Sequence, residues 1–306
     1  MGTMTRQQAA LTITREARGR VPGDGVELAF GYWPGRGAPL VALHGLTSTY
    51  VSFMGVAERL AGRRPLFAPD LRGRGDSDKP SGPYGMAQHS RDVACAMRAL
   101  GLGPSVIVGH SMGAFIAAAL AASKPELVAG LILVDGGFAI PMSEATRQAF
   151  DSGLGKRVAQ LRETYPSRQA YRDFWRGQPQ FPPEEWSPWI EAFLDYELGG
   201  EPPRLRPKAS AEGVSADLAE GLKTREITER LQAIRVPVVM LRAEAGFLPG
   251  QPPLYPEPVM AEMRRSIPGL EVHTIQGTTH YTLVVGNRGA TALADLIVEF
   301  SERCMR

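Results

Sequence analysis

Ser111 is the residue of this chain best placed for covalent chemistry. It lies in Gly109-His110-Ser111-Met112-Gly113, directly after apolar Val106-Ile107-Val108 and directly before an Ala-rich stretch running from Met112 to Ser123. A serine raised on a sharp strand–turn–helix corner needs that setting, with glycines where side chains would collide. The Met112 N–H then opens a helix at the place where an oxyanion would form. His44-Gly45-Leu46 follows apolar Leu40 to Leu43. A glycine there lets the chain turn toward the serine, so the Leu46 N–H becomes the second oxyanion donor. His44 itself is expected to hold this loop by hydrogen bonds rather than to react.

A serine nucleophile needs a base, and the chain has five histidines: His44, His89, His110, His273 and His280. His273 sits inside a strand-like run, His89 on a helix, and His110 at the variable position of the serine motif. His280 lies in Gln276-Gly-Thr-Thr-His280-Tyr281, a short loop between strand-like Glu271 to Ile275 and the last helix. That places the ring at the carboxyl edge of a sheet, within reach of Ser111. The chemistry is two-step acyl transfer. His280 takes the serine proton, Ser111 attacks a carbonyl, the Leu46 and Met112 N–H groups hold the oxyanion, and water releases the acyl group. Nothing in the sequence calls for a metal or an organic cofactor.

The elements that must position these groups alternate along the chain. Leu11 to Ala17 and Val26 to Trp33 flank the turn signal Pro22-Gly-Asp-Gly25, which predicts a hairpin. Continuous apolar runs at Pro39–Leu43, Pro65–Pro69, Ser105–Val108, Leu131–Val134 and Val236–Leu241 predict strands buried on both faces, as in a parallel sheet. Helical patterns separate them at Val51–Ala61, Met86–Leu100, Met112–Ser123, Glu257–Ser266 and Asn287–Arg303. The class is therefore α/β, with a doubly wound, mostly parallel sheet. The alternation stops between about 140 and 225, where helical patterns with Pro-rich joints carry Trp175, Trp186 and Trp189. This insert predicts a helical cap over the strand ends (140–225), with the core at 1–139 and 226–306.

Composition narrows the partners. With 43% hydrophobic and 22% charged residues the chain has the balance of an ordinary globular enzyme rather than a disordered one. A formal net charge of +2 gives no reason to expect nucleic acid or an anionic membrane. Cys95 and Cys304 have no His or acidic neighbours at metal-ligand spacing. Met1 to Gln8 lacks the apolar core of a signal peptide, and no apolar run approaches the roughly 20 residues of a membrane span. The expectation is a cytoplasmic protein with a small-molecule substrate.

Taken together, His44-Gly45, Asp70-Leu-Arg-Gly-Arg-Gly-Asp-Ser-Asp78, Gly109-His-Ser-Met-Gly113 and the late His280 resemble the α/β-hydrolase superfamily across nearly the whole chain. The likeness is greatest to its capped branch of small esterases, lactonases and carbon–carbon hydrolases. The resemblance implies an acid between Ser111 and His280 in the chain. The family's usual acid follows the penultimate strand, where this chain has Gly246, with Glu244 two positions earlier. Asp135, at the end of Leu131-Ile-Leu-Val-Asp135-Gly-Gly, occupies a site that some relatives use instead. A strand-end carboxylate followed by two glycines is better placed to hold an imidazole, so Asp135 is favoured and Glu244 is the alternative. The Asp70 to Asp78 charges are expected to organise their loop.

A serine in the elbow argues against the dehalogenases and epoxide hydrolases of the family, whose nucleophile is an aspartate. The expected reaction is cleavage of a carboxylic ester or lactone of a small, hydrophobic substrate. Alternatives on the same triad are carbon–carbon bond hydrolysis, perhydrolysis, or ligand binding by a receptor. Trp175, Trp186 and Trp189 of the insert, with Phe138 and Met142 near Asp135, are candidates for the pocket lining. Each competes with a role in the insert's own packing.

Overall fold

The computed structural model describes residues 17–139, 155–221, 229 and 231–304. Its frame is an eight-stranded sheet in the order β1-β2-β4-β3-β5-β6-β9-β10. The strands are β1 (Ala17–Pro22), β2 (Glu27–Trp33), β3 (Leu40–Leu43), β4 (Leu66–Pro69), β5 (Ser105–His110), β6 (Val128–Val134), β9 (Val238–Ala243) and β10 (Glu271–Ile275). From β4 to β10 every neighbouring pair is parallel, while β1 and β2 join antiparallel at one edge.

Burial on both faces follows from the period-two geometry of a strand. On β3, Val41 and Leu43 enter one core and Leu40 and Ala42 the other. On β5, Ile107 faces the first core while Val106 and Val108 face the second. The first core is closed by α2 (Met86–Ala99), α3 (Met112–Ser123) and α7 (Glu257–Ser266). The second is closed by α1 (Met54–Leu60), α8 (Thr282–Val285) and α9 (Asn287–Cys304). In α9, Leu293, Leu296, Ile297 and Phe300 form the buried stripe, at the three- and four-residue spacing of one helix face. Each fully buried aliphatic side chain in these cores contributes about 1.5–3 kcal/mol.

Several expected strands differ in extent: β5 runs on past Val108 to His110, and β6 begins at Val128 rather than Leu131. The turn at Pro22 to Gly25 is present, but β1 runs from Ala17 up to the turn; residues 11–16 lie outside the described set. An edge strand with one wet side carries Arg18 and Arg20, so it lacks the apolar signature sought upstream. β9 begins at Val238 rather than Val236 because Pro237 has no N–H for the ladder. It extends through Arg242, whose Nε donates to Thr274 Oγ1 of β10 at 2.7 Å.

Between β6 and β9 the described residues form a helical stretch at 155–160, α4 (Arg168–Arg176), α5 (Pro188–Glu197), a small antiparallel ribbon of β7 (Leu198–Gly199) and β8 (Arg206–Pro207), and α6 (Ala211–Gly221). Ser167 and Ser187 cap α4 and α5 by accepting from Ala170 N–H and Ile190 N–H. The boundaries expected at 140 and 225 fall outside the described residues. Among the described residues no helix is long and apolar enough to cross a membrane.

Candidate active site

The strands β3, β5, β6 and β10 all deliver their following loops to one end of the sheet, the carboxyl end where parallel sheets place ligands. Ser111 follows β5 with φ 53° and ψ −119°, a conformation costing about 1–3 kcal/mol for a residue with a Cβ. Two hydrogen bonds hold it: its N–H donates to Val134 O at 2.9 Å, and its C=O accepts from Ala114 N–H at 3.0 Å. The corner is closed so tightly that a Cβ on Gly113 would lie 2.0 Å from Leu43 O, and one on Gly136 would lie 2.3 Å from Ser111 O. Those two glycines are therefore requirements of the corner, not punctuation.

Asp135, at the end of β6, also adopts a positive φ of 45°. Its N–H donates to Leu241 O at 2.9 Å, and its Oδ1 accepts from Ala243 N–H at 3.3 Å. The remaining oxygen, Oδ2, meets His280 Nδ1 at 2.8 Å, with both side chains buried. A carboxylate can only accept, so Nδ1 carries the hydrogen and Nε2 keeps a free lone pair. His280 is further fixed through its backbone: its N–H donates to Gly246 O at 2.9 Å, and its C=O accepts from His110 Nε2 at 2.9 Å. The His110 ring lies 4.7 Å from that of His280, and Phe247 packs edge-on from 4.8 Å. Burial holds the His110 pKa well below the usual range, so this neighbour stays neutral and does not oppose a charge on His280.

Glu244 is not at the imidazole. Its Oε2 accepts from Gly277 N–H at 2.7 Å and so braces the loop that leads to His280. Of the two acids considered from the sequence, Asp135 is the one brought to the ring. The reason is register: Ala243, the last residue of β9, donates its N–H to Asp135, and Glu244 has already left the sheet.

The loop after β3 is gripped from below. His44 is fully buried; its Nε2 accepts from Leu71 N–H at 3.0 Å, which leaves Nδ1–H to donate to Gly45 O at 2.8 Å. Because the peptide unit is planar, fixing the Gly45 carbonyl fixes the direction of the Leu46 N–H on the same plane. Arg74, also fully buried, donates through Nε to Leu46 O at 2.9 Å. Its Nη2 pairs at 2.5 Å with Asp217 of α6, which also holds His89 Nε2 at 2.9 Å and Gly85 N–H at 2.6 Å. Asp70 organises the preceding loop, accepting from Tyr50 N–H and Asp76 N–H at 2.9 Å each and from Tyr196 Oη of α5 at 2.6 Å. The segment between β6 and β9 is thus tied to the β3 loop twice, through Asp217 and Tyr196.

Burial pushes the His44 pKa down to about 3 from an ordinary 6.5. Between those values the unfolded chain takes up a proton that the folded chain refuses, so stability rises with pH across the window and is lost on acidification. From this ring alone the loss approaches about 1.4 kcal/mol per pH unit below pH 6. Urea titrations at pH 7 and pH 5 are expected to show a steeper loss in wild type than in His44→Asn. Equal losses would contradict the burial of a neutral ring.

On the far side of the site, Arg157 donates through Nε to Thr47 Oγ1 at 3.2 Å and lies over the Trp175 ring at 4.9 Å. Trp175 packs on Phe181 (5.5 Å between centroids), Phe181 on Tyr281 (6.2 Å), and Tyr281 on His280 (5.6 Å). The other two candidate tryptophans have different neighbours. Trp186 donates to Glu191 Oε1 at 2.9 Å beneath Arg176, and Trp189 lies beneath Arg59 against Gly55 of α1. Phe138 is buried, with its carbonyl accepting from Tyr255 Oη at 2.9 Å, and Met142 lies outside the described residues. Arg74 is one of the Asp70–Asp78 charges expected to organise their loop, whereas Arg157, Asp217 and the contact of His110 with His280 were not foreseen. No motif marks Arg157 or Asp217, whereas the position of His110 directly before Ser111, on the sheet edge where His280 is expected, could have pointed to it. Among the described residues no three His, Cys, Asp or Glu side chains are grouped to hold a metal ion.

Comparison with known proteins agrees with this fold. A family model described as the alpha/beta hydrolase fold matches residues 38–174. Over 248 residues the chain is 30% identical to a 2-(acetamidomethylene)succinate hydrolase of Mesorhizobium japonicum, covering 81% of this chain and 83% of that one. A crystal structure of E-2-(acetamidomethylene)succinate hydrolase superposes with a TM-score of 0.79 at 26% identity, covering 94% of this chain and all of that one (100%). An N-formylmaleamate deformylase of Pseudomonas putida is 34% identical over 148 residues, 48% of this chain and 54% of the other. The chain belongs to the α/β-hydrolase fold family, and it is a hydrolase.

Proposed function

We propose that the protein cleaves an acyl bond through a covalent intermediate on Ser111, with His280 as base, Asp135 as its partner, and the Leu46 and Met112 N–H groups as oxyanion donors. The observation that carries the reading is the 2.8 Å bond from His280 Nδ1 to Asp135, set beside a serine in a strained corner. In the first step Nε2 takes the Ser111 proton as Oγ bonds to the carbonyl carbon. Collapse of the tetrahedral species breaks the bond to the leaving group, which receives that proton. Water, deprotonated by the same Nε2, then frees the acid and restores the serine. Asp135 orients the imidazole and stabilises its charge without taking the proton. The same reading takes residues 140–225 as a cap over the strand ends and the protein as cytoplasmic.

The first substrate class is a small carboxylic ester or lactone. A second, amide-type class is favoured by the names of two relatives, a deformylase and an acetamidomethylene succinate hydrolase. The test is a panel of p-nitrophenyl esters of increasing acyl length beside the matched p-nitroanilides and N-formyl compounds. Turnover of esters above amides supports the first class, and the reverse order supports the second. A folded protein that turns over neither leaves ligand binding as the activity to pursue.

A further inference from the structure

We propose that Arg157 anchors a carboxylate on the substrate, so that the site is specific for anionic acyl compounds. The proposal rests on the serine-hydrolase reading for its kinetics, though not for its binding test.

The position of the cation is the first argument. Thr47, which accepts from Arg157 Nε at 3.2 Å, directly follows Leu46. Tyr281, which directly follows His280, ends the row of rings Trp175, Phe181 and Tyr281 that begins under Arg157. One guanidinium therefore bonds the chain neighbour of one group assigned to the reacting centre and heads the row of rings that reaches the chain neighbour of the other. A substrate held there at one end would present its acyl carbon between Leu46 and His280.

The second argument is its incomplete pairing. The Arg157 side chain is 18% exposed, and the one carboxylate paired with it among the described residues, Glu197 Oε1, lies 3.5 Å away. That is long against the about 2.7–2.9 Å of a charge-assisted bond, and a guanidinium has five donors to satisfy. Glu197 is itself engaged by Tyr171, whose hydroxyl donates to Oε2 at 2.8 Å. Burial raises the Glu197 pKa, which weakens it as a counter-ion. A second donor in the same cluster, the buried indole N–H of Trp175, has no hydrogen-bond partner among the described residues. Arg157 and Trp175 thus offer donors along an aromatic wall that the acceptors among the described residues, Thr47 and Glu197, do not fill. An anion supplies the missing acceptors.

Charge decides which anion. A single guanidinium with a carboxyl group 3.5 Å away suits one negative charge. A phosphate dianion would bring a second negative charge that one guanidinium does not offset.

The experiment compares kcat/KM for the p-nitrophenyl monoesters of succinate, glutarate and adipate with the neutral butyrate, valerate and hexanoate esters. Wild type is expected to favour the acid of at least one length by tenfold or more. In Arg157→Gln the acid-to-neutral ratio is expected to fall by about 10–100-fold, the loss of a hydrogen bond to a charged group. Arg157→Lys, which keeps the charge and loses the fork, should retain part of the preference. A preference for neutral esters at every length in wild type, or one that survives in folded Arg157→Gln, overturns the proposal. Binding keeps the two readings separable. Calorimetric titration of succinate, glutarate and adipate into Ser111→Ala should show binding that Arg157→Gln removes, whether or not any ester is turned over. No binding of any of the three overturns the carboxylate anchor and leaves the serine chemistry standing.

Discussion

Ser111→Ala is expected to lower kcat on the best substrate by about 10⁴–10⁶, with the fold and melting temperature little changed. The size follows from the loss of the covalent route: without Oγ neither His280 nor the oxyanion donors have a nucleophile to act on. The stability should not suffer, because the strain at φ 53° belongs to the backbone and the side chain forms no hydrogen bond among the described residues. A residual rate above background is expected from the donors alone. Steady-state kinetics with an active-site titration of wild type checks this, since a trace of contaminating enzyme would otherwise mimic the residue. Retention of wild-type kcat would remove Ser111 from the mechanism.

Asp135→Asn is expected to cost about 10³–10⁴ in kcat, because an amide can donate to Nδ1 and so favours the wrong tautomer of His280. The effect should be much larger than that of Glu244→Gln. Glu244 meets Gly277 N–H on an exposed loop, and a glutamine oxygen can accept the same bond. Measuring kcat for both variants on one substrate distinguishes the acids. Comparable losses, or a larger one at Glu244, would contradict the assignment drawn from the 2.8 Å contact.

What could be read in advance was whatever the chain states locally. The strand before Ser111, the glycines around it and the helix after it occupy consecutive positions, so the corner is written in a single stretch. Asp135 and His280 were legible for a similar reason: the first ends a short apolar run, the second lies in the short loop after a strand-like stretch, and a parallel sheet carries all such ends to one side. Asp135 was already favoured over Glu244 from its strand end and the two glycines after it; register supplies the rest, because β9 continues two residues beyond its apolar run and Ala243 closes on Asp135. The supporting shell was less legible. Arg74 grips Leu46 by joining Asp217, and Arg157 reaches Thr47, across separations that no spacing rule connects. The three tryptophans of the insert looked equivalent in sequence. Their neighbours differ because Arg59 and Arg176 engage two of them while Arg157 and Phe181 engage the third. β1 was misjudged in extent since an edge strand needs no apolar face on its wet side.

The most direct test of the central claim is covalent trapping. The protein is incubated with a fluorophosphonate ester, and the intact mass and the modified peptide are measured. Stoichiometric addition is expected on the peptide carrying Ser111, absent from Ser111→Ala and much slowed in Asp135→Asn. Labelling at another residue, or none from a folded protein that still hydrolyses its substrate, would contradict it.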